Sequence, residues 1–196
     1  MINFQENIIL ENELVILRPL ETSDFNELLY FSENEPDLWF YSLIPANGRE
    51  NLEKYINFAF KQKNQKTSYT FVVIYKKEQK IVGLTRFYDI QEKHKSLQLG
   101  YTWYGNKYQG TKINKNCKFL LLEFAFEKWK MERVEFRADN NNVRSIAAMK
   151  SIGCIEEGIL RSNCTINKTE RRDSIVLSIL KNEWYETIKA NLNIKI

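Results

Sequence analysis

The spacing of apolar side chains changes period along the chain, and each change marks an element. "LVILRPL" (14–20) predicts a strand stopped by Pro19. Over 22–34, Phe25, Leu28, Leu29 and Phe31 share a helical face, with Thr22 or Ser23 as the N-cap. "EPDLWFYSLIPANG" (35–48) carries two prolines and a run of large side chains, which predicts a short helix and a loop. An amphipathic helix follows over 49–63 through Leu52, Tyr55, Ile56 and Ala59. The pattern then becomes strand-like in "SYTFVVIY" (68–75), "KIVGLTRFYDI" (80–90) and "KSLQLGYTW" (95–103), joined by the short turns "KKEQ" and "QEKH". Three sequential strands with short turns predict an antiparallel meander.

The helical period returns over 112–128. Lys112, Asn116, Glu123 and Glu127 fall on one narrow polar stripe. Ile113, Cys117, Leu121, Phe124 and Ala125 belong to the apolar remainder, so the helix is expected to lie against a sheet. It crosses over to the strand "ERVEFRAD" (132–139), which makes the strands it joins candidates for parallel neighbours. A helix over 140–153 ends at Gly153, a hairpin pairs 154–166 with 171–180 around "NKTE", and a terminal helix covers 182–192. The expectation is an α+β fold, one domain over 1–196, with a mixed, mostly antiparallel sheet of about seven strands flanked by helices.

Composition narrows the function classes. With 196 residues, 43% apolar and 28% charged, the chain has enough material for one real core. The formal net charge of +4 and the lack of a clustered basic face argue against a nucleic-acid binder, while mild positive charge suits an anionic cofactor. Cys117, Cys154 and Cys164 are odd in number and lack metal-ligand spacing, and His94 is the single histidine, in a loop. Neither a metal site nor His-based triad chemistry is expected. The N-terminus lacks the pattern of a signal peptide, and the run "FLLLEFAF" is short and interrupted by Glu123, so no membrane span is expected and a cytoplasmic location is the default.

The stretch "YQGTKINKNCKFLLLEFAF" (108–126) directly follows the strand-like "LQLGYTW". Strand, short loop and helix offer free backbone N–H groups to an anion, although such loops usually carry more glycine than Gly110 alone. With this loop at its centre, the order of elements resembles the GCN5-related N-acetyltransferase (GNAT) fold. The segments "LRPLETSD", "IVGLTRFYD", "LGYTWYGNKYQGTKINK", "KFLLLEFAFEKWKMERVEFRADNNNVRSIAAMKSIGCIEEGILR" and "RRDSIVLSILKNEW" are similar to its ribosomal-protein alanine/serine N-terminal acetyltransferase-like branch. The resemblance implies transfer of an acetyl group from acetyl-CoA, as co-substrate, to a primary amine by direct attack, with a protein N-terminal α-amine as the favoured acceptor.

The resemblance also implies a set of site residues. The family's diphosphate loop falls on Gln109, Gly110, Thr111, Lys112, Ile113 and Asn114, with Lys112 standing where relatives carry glycine. That departure is harmless if Lys112 is helical, because the diphosphate is held by backbone N–H groups. The strand Gly100, Tyr101, Thr102, Trp103 falls where the family opens its sheet for the pantetheine arm, and Gly100 suits a bulge or a close approach. Asn142, Ser145 and Met149 complete the set. Met149 stands where many relatives carry a proton-donating Tyr, so Ser145 is the candidate donor to the departing thiolate; the plainer reading of Asn142 and Ser145 is helix capping.

No base is assigned: Gln98 stands where relatives carry Glu, and Glu135, Glu156, Glu157 and Asp173 are the remaining carboxylates considered. "WFYSLI" (39–44), Tyr88 and Tyr104 are candidates to line the acceptor cleft, with core and lid packing as the plainer reading. Arg161, Arg171, Arg172 and Asp173 read first as hairpin salt bridges and second as receivers of an acidic substrate. The departures at Gln98, Lys112 and Met149 keep open a non-catalytic acetyl-CoA-binding or interaction module, and the acceptor class leaves open an acetyltransferase of a small amine such as an amino sugar, polyamine or antibiotic. The edge strands leave a homodimer open.

Overall fold

A computed structural model describes residues 2–166 and 170–196. The strands are β1 (Leu10–Glu11), β2 (Val15–Pro19), β3 (Tyr69–Tyr75), β4 (Lys80–Gln91), β5 (Ser96–Tyr104), β6 (Arg133–Asp139), β7 (Ile155–Thr165) and β8 (Arg171–Leu180). The main helices are α1 (Phe25–Asn34), α2 (Arg49–Asn64), α3 (Ile113–Glu123) and α4 (Val143–Ser151). The C-terminal helix begins at Lys181–Glu183, widens through a π segment at Trp184–Ile188 and closes at Lys189–Asn193. The predicted turn "NKTE" falls on 167–170, of which 167–169 lie outside the described residues.

One sheet runs β1-β2-β3-β4-β5-β6-β8-β7. It has eight strands where about seven were expected: β1 is two residues long, too short for a periodic signal, and pairs only with Ile16 and Leu17 at the edge. All pairs are antiparallel except β5 with β6, the two strands joined by the α3 crossover. Both faces of the central strands are covered, so β3 is buried continuously from Tyr69 to Val73 rather than alternating. Phe71 and Val73 pack on the α3 side with Cys117, Leu121 and Phe126. Val72 and Leu84 pack on the other side with Leu28, Leu52, Ile56 and Ala59 of α1 and α2.

Two local expectations change. The first helix is not capped by Thr22 or Ser23. A 3-10 turn over Thr22–Asp24 precedes it, Glu21 is the cap residue of that turn, and the buried Asp24 carboxylate accepts from the Glu21 N–H (2.8 Å) and from Arg18 (2.6 and 2.9 Å). The polar positions of α3 and the turn after it do not form a solvent stripe either. Asn116 is buried and accepts from Asn12 (2.7 Å), while Glu123 and Glu127 hold Lys189 of the C-terminal helix (3.0 and 2.6 Å). Those polar positions are the seam along which the two ends of the chain dock.

Candidate active site

The site starts from a break in the sheet. β5 and β6 pair from Ser96↔Arg133 to Gln98↔Glu135 and no further, yet β5 continues to Tyr104 and β6 to Asp139. Beyond Gln98 the two strands part, and a cleft of about 610 Å³ opens there, the size of a small-ligand site. Its walls include Gly100, Tyr101, Thr102, Trp103, Gln109, Gly110, Asn114, Asn142, Ser145 and Met149. Thr111, Lys112 and Ile113 do not line it. The Thr111 hydroxyl donates to the Tyr108 carbonyl (2.6 Å), the Lys112 ammonium reaches out to the Ile196 carbonyl (3.5 Å), and Ile113 is buried in the core. What these three offer a ligand is backbone.

That backbone is suited to an anion. Lys112 is right-handed helical (φ −67, ψ −14), so its side chain costs the loop no strain. Gly110 carries the left-handed turn (φ +71), and a Cβ built there meets nothing within 4 Å. The N–H groups of Gly110, Thr111, Lys112, Asn114 and Lys115 have no acceptor among the described residues. They sit at the positive end of the α3 dipole. Gln109 braces the loop: its Nε2 donates to the Tyr104 carbonyl (2.8 Å) and its Oε1 accepts from Arg144 of α4. Asn142 caps α4 by accepting the Ser145 N–H (3.0 Å), which leaves the Ser145 hydroxyl free in the cleft. Met149 is buried and brings no proton.

A bulge in β5 decides which side chains face which side. Arg86 pairs with Gly100 and Leu84 with Trp103, so Thr85 alone opposes Tyr101 and Thr102. The inserted residue is Tyr101, with φ +50, and the Tyr88 ring closes over Gly100 (3.0 Å from a built Cβ). Before the bulge, Leu97 and Leu99 face α3; after it, Tyr101 and Trp103 face α1 and α2. Thr102 is thereby turned to α3, where its hydroxyl meets Thr85 (2.8 Å) and the ammonium of Lys118 (2.8 Å). Lys118 is only 6% exposed and burial pushes it down to about 8, the buried Cys117 and Cys154 thiols acting weakly the other way. On the opposite side Tyr101 covers Arg86, which is 0% exposed and lies between the rings of Tyr101 (4.4 Å), Tyr55 (5.0 Å) and Phe58 (5.6 Å).

The carboxylates considered as bases are all engaged. Glu135 accepts from Arg133 (2.8 Å) and Arg137 (2.7 Å), and Glu156 from Lys150 (2.8 Å). Glu157 is held down to about 2, chiefly by Arg133 and also by Ser178. Asp173 accepts the Ser162 N–H (2.7 Å). Gln98, in place of the family's Glu, donates to Asp89 (2.9 Å) at the cleft wall. The hairpin arginines do not form the expected salt bridges: Arg171 bonds Ser162 and Thr165, Arg172 bonds the Tyr41 carbonyl (3.1 Å) and Ser174, and no carboxylate pairs with either among the described residues. Trp39, Phe40, Tyr41, Ser42, Leu43, Tyr88 and Tyr104 line the cleft; Ile44 does not. Lys118 and Arg86 escaped sequence reading. The signal was present, since each is a charge inside an otherwise buried apolar run.

The family model described as "Acetyltransferase (GNAT) domain" matches residues 15–155, well over half of the chain. This chain belongs to the GNAT acetyltransferase family. Among GNAT relatives, the Bacillus subtilis (strain 168) protein named "Putative ribosomal N-acetyltransferase YdaF" is 25% identical over 177 residues, 88% of this chain and 94% of that protein. A solved structure titled "putative acetyltransferase", from T. thermophilus, superposes with a TM-score of 0.87 at 28% identity over all of both chains. A Vibrio cholerae spermidine N-acetyltransferase, solved with CoA and spermine, shares the fold at a TM-score of 0.73 and 20% identity, covering 89% of this chain and all of that one. The GNAT fold expected from the sequence is thus the fold observed, and the relatives named in Bacillus subtilis are N-acetyltransferases by name.

Proposed function

We infer that this GNAT domain transfers the acetyl group of acetyl-CoA to a primary amine by direct attack, and that its acceptor is a protein N-terminal α-amine. The observation that carries the reading is the opening of β5 from β6 beside the unbonded amides at the start of α3. Gly110 to Lys115 offer N–H groups and a helix dipole to a diphosphate, and the unpaired edges of β5 beyond Gln98 and β6 beyond Glu135 offer an extended arm the partners of a strand. Acetyl-CoA supplies the thioester. The Ser145 hydroxyl, fixed in the cleft by the Asn142 cap, donates a hydrogen bond to the sulfur as it leaves. An α-amine has a pKa of about 8, so an appreciable neutral fraction exists near neutral pH and its proton is released to water at the open mouth. The α-amine acceptor rests on the family branch and on the ribosomal acetyltransferase name of its relative.

The test is release of free CoA thiol with peptides whose only amine is an α-amine, against N-terminally blocked peptides bearing a lysine. Turnover of the first set alone is the expected result. Equal or preferential use of lysine removes the α-amine assignment. Thiol release that no amine accelerates removes the transfer reading and leaves a binding module.

A further inference from the structure

The wall of the cleft that faces α1 and α2 is rich in buried hydrogen-bond donors and poor in acceptors for them. Trp39 Nε1, Trp103 Nε1, the Tyr55 hydroxyl and all three guanidinium nitrogens of Arg86 are buried without a hydrogen-bond partner among the described residues. These groups come from four elements and converge. The Trp39 and Trp103 rings meet edge to face at 5.1 Å, and Arg86 lies 5.0 Å from the Tyr55 ring centre. An indole N–H and a guanidinium only donate, and the Tyr55 oxygen, beside Arg86 and Trp103, is the one acceptor among these four side chains and cannot serve all of their N–H groups. Each orphaned donor is costly, and an unpaired buried guanidinium most of all. Aromatic faces offset part of the Arg86 cost and supply no lone pair. Arg172 adds a second cation without a carboxylate partner among the described residues, in the cleft beside Tyr101 and tied to the Tyr41 carbonyl. Of the carboxylates lining the cleft, Asp37 and Asp89 are exposed, and Asp139 is buried and accepts the Asn141 N–H (2.9 Å).

We propose that the acceptor amine carries an anionic oxygen group, a carboxylate or a phosphate, received by the donors of Trp39, Tyr55 and Trp103 and by Arg172, with Arg86 as the fixed positive charge behind Tyr101. This rests on the acetyl-transfer reading and adds the acceptor's chemical class. It fits a short acidic α-amine and disfavours a polycation, which would bring positive charge against two arginines that no carboxylate pairs with among the described residues.

The experiment uses the full chain with acetyl-CoA and acceptors in matched sets: the C-terminally amidated dipeptide Ala-Glu against amidated Ala-Gln and Ala-Lys, and β-alanine against β-alaninamide, with 2-aminoethyl phosphate separating phosphate from carboxylate. In the scaffold used best, the acid is expected to exceed its amide in kcat/KM by about tenfold to a hundredfold, the range of a charge-assisted hydrogen bond, mostly through KM. Arg172→Gln brings that ratio close to one, and Arg172→Lys restores part of it. An amide or lysine member that matches the acid overturns the inference and makes the donor wall a water site. If no acceptor is acetylated, the transfer reading fails by itself, and calorimetric titration of the same sets onto the acetyl-CoA-saturated chain decides: tighter binding of the acids upholds the anion site, and equal binding overturns it.

Discussion

At the α3 end of the cleft the ligand-facing groups come from one short stretch, Gln109 to Lys115, and most of them are backbone amides. At the other end Trp39, Tyr55, Trp103 and Arg172 come from four separate elements and present side chains, with Arg86 of a fifth covered by Tyr101. The first end tolerates substitution, because an amide is present whatever the side chain; Lys112 in place of glycine leaves the backbone helical. The second end depends on each residue and on the β5 bulge that aims it. A diphosphate common to many enzymes can be met by a local device, whereas an individual acceptor demands a surface assembled from distant parts of the fold.

The largest expected effect tests the bulge. Burial pushes Lys118 from 10.5 down to about 8, so between those values the folded chain holds fewer protons than the unfolded one. The lysine's cost is therefore complete below pH 8, at ~3 kcal/mol, and is relieved as the pH rises toward 10.5. Lys118→Met should raise stability at pH 7 by ~1–3 kcal/mol in urea unfolding, with the advantage over wild type fading above pH 8. Thiol release should fall as Thr102 loses its tie. A destabilised Lys118→Met chain would mean that Thr102 and the Phe136 ring more than offset the burial cost.

Ser145→Ala should lower kcat by about tenfold to a hundredfold, the worth of a hydrogen bond to a developing thiolate, with little change in melting temperature, because the α4 cap uses the Ser145 N–H and not its hydroxyl. A loss of stability with unchanged kcat would return Ser145 to a purely structural role. Gln109→Ala removes the brace between the Tyr104 carbonyl and Arg144, and the KM for acetyl-CoA should rise about fivefold while kcat holds. Smallest of all, Lys112→Gly should leave that KM within about twofold and cost ~0.5–1 kcal/mol of stability from added unfolded-state freedom. Markedly tighter acetyl-CoA binding by the glycine variant would show that the lysine obstructs the loop and would break the contrast between the two ends.

The seven longer strands and the four main helices were legible because each leaves a local signal: an apolar stripe at the helical period, or a short apolar run bounded by turn residues, as in the continuously buried β3. The α3 crossover likewise made β5 and β6 parallel neighbours, and the chain's order of elements with the loop at 109–114 sufficed for the GNAT family. Other features had no local cause. The strand β1 exists only because β2 offers an edge; Asn116, Glu123 and Glu127 read as a solvent stripe until the chain's own ends covered them. The one-residue bulge at Tyr101 reverses the facing of every later residue in β5, and no periodicity announces it. The amino-acid sequence by itself therefore determined the elements, the family and the loop of unbonded amides ahead of α3, which depend on neighbours in the chain. Only the tertiary structure decided what Arg86, Lys118 and Arg172 do, because the worth of a buried charge is set by the partners that folding brings to it or withholds.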